Sequence, residues 1–199
     1  MSLRKTKKDR TTRALLEAAS ARFIAEGIDS TRMEEIAADA EVSVGTLYNY
    51  FGSKQSLLMA LFEVEVKEML GAGGIAVSEE LDPLDTVRHL FDAYLDVMIG
   101  TNRDLLREVV RFGLGGGAAV QELARLDEDL MAQLAGLLAS HQESGRISKT
   151  VGIEDATFVL YSVLMTELLV YLSLDDVEAP MLRSNVARRV ELIFQGINL

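Results

Sequence analysis

Apolar residues recur at a spacing of three and four positions along nearly the whole chain, and no segment shows the strict alternation that is typical of a strand. Only 2 of the 199 residues are proline, so little interrupts this helical period. The hydrophobic fraction of 49% is enough to bury a sizeable core. The pattern therefore predicts an all-α fold, and the length favours a small domain followed by a larger one.

The sequence pattern of the N-terminal part predicts three helices. A first helix covers about residues 11–26 and is ended by a glycine. Thr31 and Glu34 form a capping-box pattern that starts a second helix, and Ser43 is the predicted N-cap of a third, residues 44–50. The turn between the second and third helices has only three or four residues, which is the spacing of a helix-turn-helix motif.

The rest of the chain predicts longer helices. One begins at the N-cap Ser53 and runs to about residue 70, and it is the expected mechanical link between the N-terminal helices and the rest of the chain. Further helices are expected over residues 83–100, 103–112, 118–142, 153–174 and 180–197. We place the functional domain boundary at residue 52, which divides the chain into residues 1–52 and residues 53–199.

The net charge of −11 is distributed unevenly. Residues 56–199 carry 23 acidic and 11 basic side chains, whereas residues 1–13 carry six basic side chains against Asp9. Those six are Arg4, Lys5, Lys7, Lys8, Arg10 and Arg13. Only this end is suited to binding phosphates, although a basic run at a terminus is equally typical of a solvated, disordered tail.

Several classes of function are not supported by the sequence. The absence of cysteine excludes disulfides and thiolate chemistry and fits a cytoplasmic protein. His89 and His141, both predicted on the surface, lie on separate helices without metal-ligand spacing, and no glycine loop has the lysine of a phosphate-binding loop. We therefore expect no cofactor, no metal and no enzyme. A hydrolase or transferase would require titratable groups that converge in a cleft.

A membrane span is not expected either, because no signal peptide is visible and the longest apolar stretch is too short. Residues 158–172 are interrupted by Ser162, Thr166 and Glu167 and fall short of the roughly 20 apolar residues that a span needs. This stretch predicts a buried core helix.

A segment near the N-terminus closely resembles the DNA-binding region of the TetR family of transcriptional regulators. It runs from Thr31 to Lys54 and reads TRMEEIAADAEVSVGTLYNYFGSK, with Phe23, Glu26 and Gly27 upstream and Leu57 downstream. The resemblance covers the first quarter of the chain, and the remainder matches only in its helical layout. It implies an N-terminal three-helix helix-turn-helix DNA-binding domain and a C-terminal helical bundle that binds a ligand and dimerises.

The third predicted helix has the composition of a recognition helix. Gly45 keeps its start thin enough for the major groove, Leu47 points to the core, and Asn49 is suited to an adenine edge. The resemblance assigns Tyr48 and Lys54 to phosphates; packing aromatics and a capping Thr46 are the structural alternatives. The predicted DNA contacts are Arg13, Arg32, Ser43, Val44, Gly45, Thr46, Tyr48, Asn49, Tyr50 and Lys54.

The resemblance also implies a homodimer on a palindromic operator and a small-molecule effector. Residues 153–174 are apolar on nearly every side, so we expect them to form the dimer interface with the last helix; burial within one subunit is the alternative. The apolar residues of the last helix assigned to that interface are Leu182, Val186, Val190, Ile193 and Phe194.

Glu167 lies within this apolar stretch and needs either a basic partner, predicted to be Arg107 or Arg111, or a cationic or hydrogen-bond-donating ligand in a cavity. The predicted pocket residues are Phe91, Tyr94, Arg107, Arg111, Phe112, Tyr161, Met165 and Glu167. These patterns favour a repressor that a small-molecule effector releases from its operator. The alternative is a DNA-bound scaffold regulated by a protein partner.

Overall fold

The structure is a computed structural model that describes residues 3–70, 80–100, 102–114 and 118–196, with side chains for residues 8–64, 80–100, 102–112 and 127–196. The side chains of Arg4, Lys5 and Lys7 lie outside the described residues. Every regular element in the described ranges is a helix, which confirms the all-α prediction. The helices are α1 (Leu3–Glu26), α2 (Met33–Asp39), α3 (Val44–Phe51), α4 (Lys54–Leu70), α5 (Pro83–Gly100), α6 (Arg103–Leu114), α7 (Ala118–Glu143), α8 (Ile153–Ser173) and α9 (Ala179–Gln195).

The chain forms two compact units. The first combines residues 1–68 with residues 102–124, so α6 belongs to the same unit as the N-terminal helices. The second combines residues 69–101 with residues 125–199 and contains α5, most of α7, α8 and α9. The boundary placed at residue 52 is a functional one and stays a prediction.

Helix α1 is longer than the sequence pattern predicted. It begins at Leu3 rather than near residue 11, because the basic segment contains no glycine or proline and its Lys and Arg residues favour helix. It ends at Gly27, whose φ of +79° lies in the left-handed region, and the Gly27 N–H donates to the Phe23 carbonyl oxygen at 3.1 Å.

The start of α2 differs from the prediction by one residue. The N-cap is Arg32, and its backbone N–H donates to the Glu35 carboxylate at 3.2 Å. Thr31 does not cap α2 because its hydroxyl donates to the Gly27 carbonyl oxygen at 2.8 Å. The predicted Thr31–Glu34 capping box is therefore wrong: the hydroxyl bonds back to the end of α1.

The core of the first unit lies where α1, α2, α3 and α4 meet. Four side chains, Leu15, Ile36, Leu47 and Leu57, are completely buried there, one from each helix. Burying a leucine or isoleucine stabilises a fold by roughly 1.5 to 3 kcal/mol, so this cluster fixes α3 relative to its neighbours. Asp39 and Val44 are separated by the turn of the helix-turn-helix motif, in which Glu41 has a positive φ of 54°.

In the second unit, α9 packs against α5 and α8. Leu182, Val186 and Val190 of α9 are at most 3% exposed, because their spacing of four places them on the face that meets those helices. Their assignment to a dimer interface is therefore wrong, since they belong to the core of one subunit. Of the five, Ile193 is exposed and Phe194 is half-buried.

Helix α8 is buried on one side only. Its inward face includes Leu160, Leu164 and Leu168, while Phe158 is 62% and Leu169 45% exposed. By length and composition α8 is also the one described helix that could cross a membrane. A core helix of this kind passes the same test, and its packing on α9 agrees with the predicted core helix.

The two histidines have different environments. His89 is exposed, as predicted, but His141 is only 2% exposed and the prediction of a surface position for it is wrong. The C-terminal end of α7 packs on α5, where the His141 Nε2 lies 2.8 Å from the Thr86 Oγ1. Burial lowers the pKa of His141, which therefore resists acquiring a charge in this position.

Candidate nucleic-acid interface

The recognition helix α3 begins at a side-chain cap. Ser43 has an extended backbone, and its Oγ accepts a hydrogen bond from the Thr46 N–H at 3.1 Å. The hydroxyls of Ser43 and Thr46 also lie 2.8 Å apart. Ser43 is thus the N-cap that the sequence predicted, and the Thr46 hydroxyl is held beside it at the start of the helix.

One face of α3 packs inward and the other is open. Leu47 is completely buried, whereas Tyr48 is 45% exposed and Asn49 and Gly45 are exposed beside it. The remaining predicted contacts on the helix, Val44, Thr46 and Tyr50, are half-buried. A Cβ at Gly45 would meet nothing closer than the Ser43 Oγ at 4.0 Å, so the fold itself does not require glycine here.

An ion-pair network that the sequence analysis missed holds α1 to α2. The Arg22 Nε donates to Asp39 at 2.6 Å and its Nη1 donates to Glu26 at 2.8 Å. Glu35 lies 3.7 Å from the same Nη1. The hydrogen bond from Arg22 lowers the pKa of Asp39. Only the spacing between Arg22 and Glu26 was visible in the sequence, because the other two partners are brought close by the fold.

Two of the predicted phosphate-binding residues form exposed ion pairs. Arg13 pairs with Glu17 at 2.9 Å and Arg32 pairs with Glu35 at 2.5 Å, with side chains 81% and 73% exposed. Exposed pairs contribute at most about 1 kcal/mol, so either guanidinium can exchange its partner for a phosphate at little cost.

Lys54 has a different arrangement. Its Nζ donates to the backbone carbonyl oxygens of Ile28 at 2.6 Å, Thr31 at 2.8 Å and Asp29 at 3.3 Å. The ammonium group is therefore bonded to the turn between α1 and α2. The phosphate contact predicted for Lys54 stays a prediction.

The predicted ligand-binding residues fall in both units. Arg107, Arg111 and Phe112 lie on α6 in the first unit, whereas Phe91, Tyr94, Tyr161, Met165 and Glu167 lie in the second. On α6, Arg107 pairs with Asp104 at 3.1 Å, and Arg111 pairs with Glu108 and lies 3.7 Å from Asp29. The Arg111 guanidinium carbon also lies 4.6 Å from the centre of the Phe112 ring.

A cleft of about 430 Å³ lies in the first unit, where the end of α1 and the turn after it face the start of α6. Phe23, Ile24, Ile28 and Leu105 provide its apolar wall. The cleft is open and its acidic side chains Glu26 and Glu108 already pair with Arg22 and Arg111. We therefore assign it no ligand.

Glu167 is 4% exposed and forms an ion pair with Arg189 of α9. The predicted partners Arg107 and Arg111 were wrong because the face of α8 that carries Glu167 packs on α9. A buried carboxylate paired with a guanidinium group requires no ligand, so this ion pair accounts for Glu167 within the subunit.

A half-buried carboxylate in the second unit was also missed by the sequence analysis. Asp127 of α7 is hydrogen-bonded to the Tyr161 hydroxyl of α8. The Asp127 carboxylate also interacts electrostatically with Tyr94 of α5. Burial raises the pKa of Asp127 and of both tyrosines. Asp127 gave no signal in the sequence because Glu128 and Asp129 follow it, which made the three acids look like a solvated face.

We expect Asp127→Asn to stabilise the protein at neutral pH. The amide oxygen can still accept the Tyr161 hydrogen bond, but no charge is buried. Because the folded-state pKa of Asp127 is raised, its stabilising contribution is present below about pH 4 and is lost as the pH rises through that pKa. Thermal unfolding from pH 3 to pH 8 should show that the variant gains over the parent as the pH rises.

Asp129→Asn is the matched control for this change, because Asp129 is exposed on the same helix. It should shift the unfolding temperature little at any pH. An equal gain in both variants would show that the effect comes from net charge and not from burial of Asp127.

Comparisons with known proteins agree with this geometry. Residues 15–61 match the family model described as bacterial regulatory proteins, tetR family. An HTH-type transcriptional repressor of Streptomyces coelicolor is 29% identical over 153 residues, which are 77% of this chain and 76% of that protein.

Two solved structures share the fold over nearly their whole length. A TetR-family regulator of Syntrophomonas wolfei has a TM-score of 0.74 at 20% identity, with 97% of this chain and 98% of that chain covered. The Thermus thermophilus FadR repressor, solved with lauroyl-CoA, has a TM-score of 0.65 at 23% identity, with 94% and 95% covered.

The capped and outward-facing α3, held by α1, α2 and α4, defines a helix-turn-helix domain of the DNA-binding type. The family match covers this part of the molecule. Over residues 15–61 the chain is similar to the tetR family of bacterial regulatory proteins, and over most of its length it is similar to a transcriptional repressor.

Proposed function

We propose that this protein is a cytoplasmic transcriptional repressor that binds a palindromic operator as a homodimer and is released by a small-molecule effector. The observation that carries the proposal is the exposed face of α3. Gly45 keeps the start of this helix thin, and Tyr48 and Asn49 are exposed further along it. These residues suit close approach to the major groove, and Arg13 and Arg32 supply exposed positive charge in the same unit.

The dimer is supported by an apolar surface on the last two helices. Phe158, Val159 and Leu169 of α8 and Met181 and Leu192 of α9 are each between 45% and 62% exposed. Large apolar side chains that cluster on one surface are typical of an interface. A second copy of the chain is the occupant that we assign to it.

Effector binding is supported by the polar cluster within the second unit. Asp127 and Tyr161 lie among α5, α7 and α8, and a half-buried carboxylate of raised pKa is typical of a site that recognises a ligand. The ligand of the Thermus thermophilus relative makes lauroyl-CoA the first compound to test. Separate tests of laurate and free coenzyme A show how much the acyl chain and the coenzyme A part each contribute to binding.

Selection of binding sites from a random pool of DNA duplexes tests the proposal. The parent protein should enrich one palindromic sequence. Asn49→Ala should lose preference at one base pair in each half-site, because a good base contact contributes about 1 to 3 kcal/mol of discrimination, whereas Tyr48→Phe should weaken all sequences alike.

Failure of the parent protein to enrich any sequence would contradict operator binding. An unchanged preference in Asn49→Ala would remove Asn49 from the residues that read bases. The selected duplex then serves the effector test, in which a true effector both raises the unfolding temperature and lowers operator affinity, as reciprocal coupling requires.

A further inference from the structure

Lys54 lies three residues beyond the end of the recognition helix α3. Gly52 ends that helix with a φ of +70°, and its N–H donates to the Tyr48 carbonyl oxygen at 2.8 Å. Ser53 then caps α4, since its Oγ accepts from the Ser56 N–H at 3.0 Å. With so short a connection, the position of Lys54 restrains the C-terminal end of α3.

The Lys54 ammonium group fills the turn between α1 and α2. An ammonium group has three N–H donors, and three backbone carbonyl oxygens, those of Ile28, Asp29 and Thr31, lie 2.6 to 3.3 Å from the Nζ. Ile28 is 5% and Thr31 1% exposed, so water competes little for the carbonyl oxygens of these two residues, whereas Asp29 between them is exposed. Buried carbonyl groups need a partner, and Lys54 supplies one from another part of the chain.

We infer that Lys54 is a positioning residue that sets the orientation of the recognition helix and is not a phosphate contact. The inference rests on the proposed operator binding. Its hydrogen bonds join the start of α4 to the turn that leads into α2, while α3 lies between α2 and α4 in the chain. Lys54 thus links the two ends of the chain segment that contains α2 and α3. Its three N–H donors are bonded to carbonyl oxygens and are not free for a phosphate.

Two substitutions separate positioning from phosphate binding. Lys54→Met keeps the apolar stem without donors, and Lys54→Arg keeps the charge, but a planar guanidinium does not match three carbonyls that surround one tetrahedral nitrogen. We expect both variants to lower operator affinity about tenfold or more. The slope of the logarithm of affinity against the logarithm of salt concentration should stay unchanged, because no phosphate contact is lost.

A phosphate contact would give different results. Lys54→Met would then make that negative slope shallower by about 0.9 for each subunit, and Lys54→Arg would bind operator with nearly the parent affinity. Either result would overturn the inference. Lys149→Met, at an exposed position in the second unit, controls for the loss of one positive charge.

Amide hydrogen exchange tests, in the absence of DNA, whether the Lys54 hydrogen bonds stabilise the turn between α1 and α2. The amides of the turn at residues 27–31 and of helix α3 should exchange faster in Lys54→Arg than in the parent. If exchange is unchanged in the turn and in α3, the inference is overturned. If Lys54→Met does not fold, Lys54→Arg carries both measurements. Absence of operator binding in the parent protein would contradict the proposed function, while the exchange result would still decide the role of Lys54.

Discussion

Replacing Leu192 by glutamate should convert the protein to a monomer and lower operator affinity at least about a hundredfold, which corresponds to about 2.7 kcal/mol. Leu192 is 50% exposed on α9, and a two-fold interface would bring both copies of the new carboxylate out of water. Burying an unpaired charge costs several kcal/mol. A monomer also lacks the second recognition helix. In a dimer on a palindromic operator, that helix occupies the major groove of the other half-site, about 34 Å from the first.

Sedimentation velocity and operator titration measure the two effects on the same samples. Phe158→Glu on α8 should act in the same way, because its side chain is 62% exposed. The matched control is Val151→Glu, an exposed apolar residue in the turn before α8, which should remain dimeric. Leu192→Glu and Phe158→Glu proteins that sediment as dimers and bind operator normally would show that this surface is not the interface.

Replacing Gly45 by valine should abolish operator binding without loss of stability. No atom of the fold lies within 4 Å of a Cβ at this position except the Ser43 Oγ at 4.0 Å, and valine favours helix more than glycine does. The branched side chain would instead stand where the recognition helix meets the groove. We expect a loss of affinity of about a hundredfold or more for every DNA sequence, because the obstacle does not depend on the base.

Gly136→Val provides the control for this substitution, since Gly136 is an exposed glycine on α7 with open space around its Cβ position. It should leave operator affinity unchanged. Circular dichroism and thermal unfolding of both variants check that neither loses its fold. Normal operator binding by Gly45→Val would place the start of α3 away from the DNA and would require another surface for recognition.

The sequence by itself determined most of the local structure. Eight of the nine described helices begin within about one residue of the predicted position, because glycines, prolines and capping hydroxyls act over a few residues. The Ser43 cap and the inward position of Leu47 follow from the same short-range rules. The family motif was also visible, since its residues are consecutive in the chain.

Only the tertiary structure decided which distant side chains meet. Arg189 and not Arg107 or Arg111 pairs with Glu167, His141 is buried against Thr86, and the Lys54 ammonium group binds the turn after α1. Periodicity identifies the apolar side of a helix but not the helix that covers it. For that reason Leu182, Val186 and Val190 were assigned to a partner subunit, although α5 and α8 of the same chain bury them.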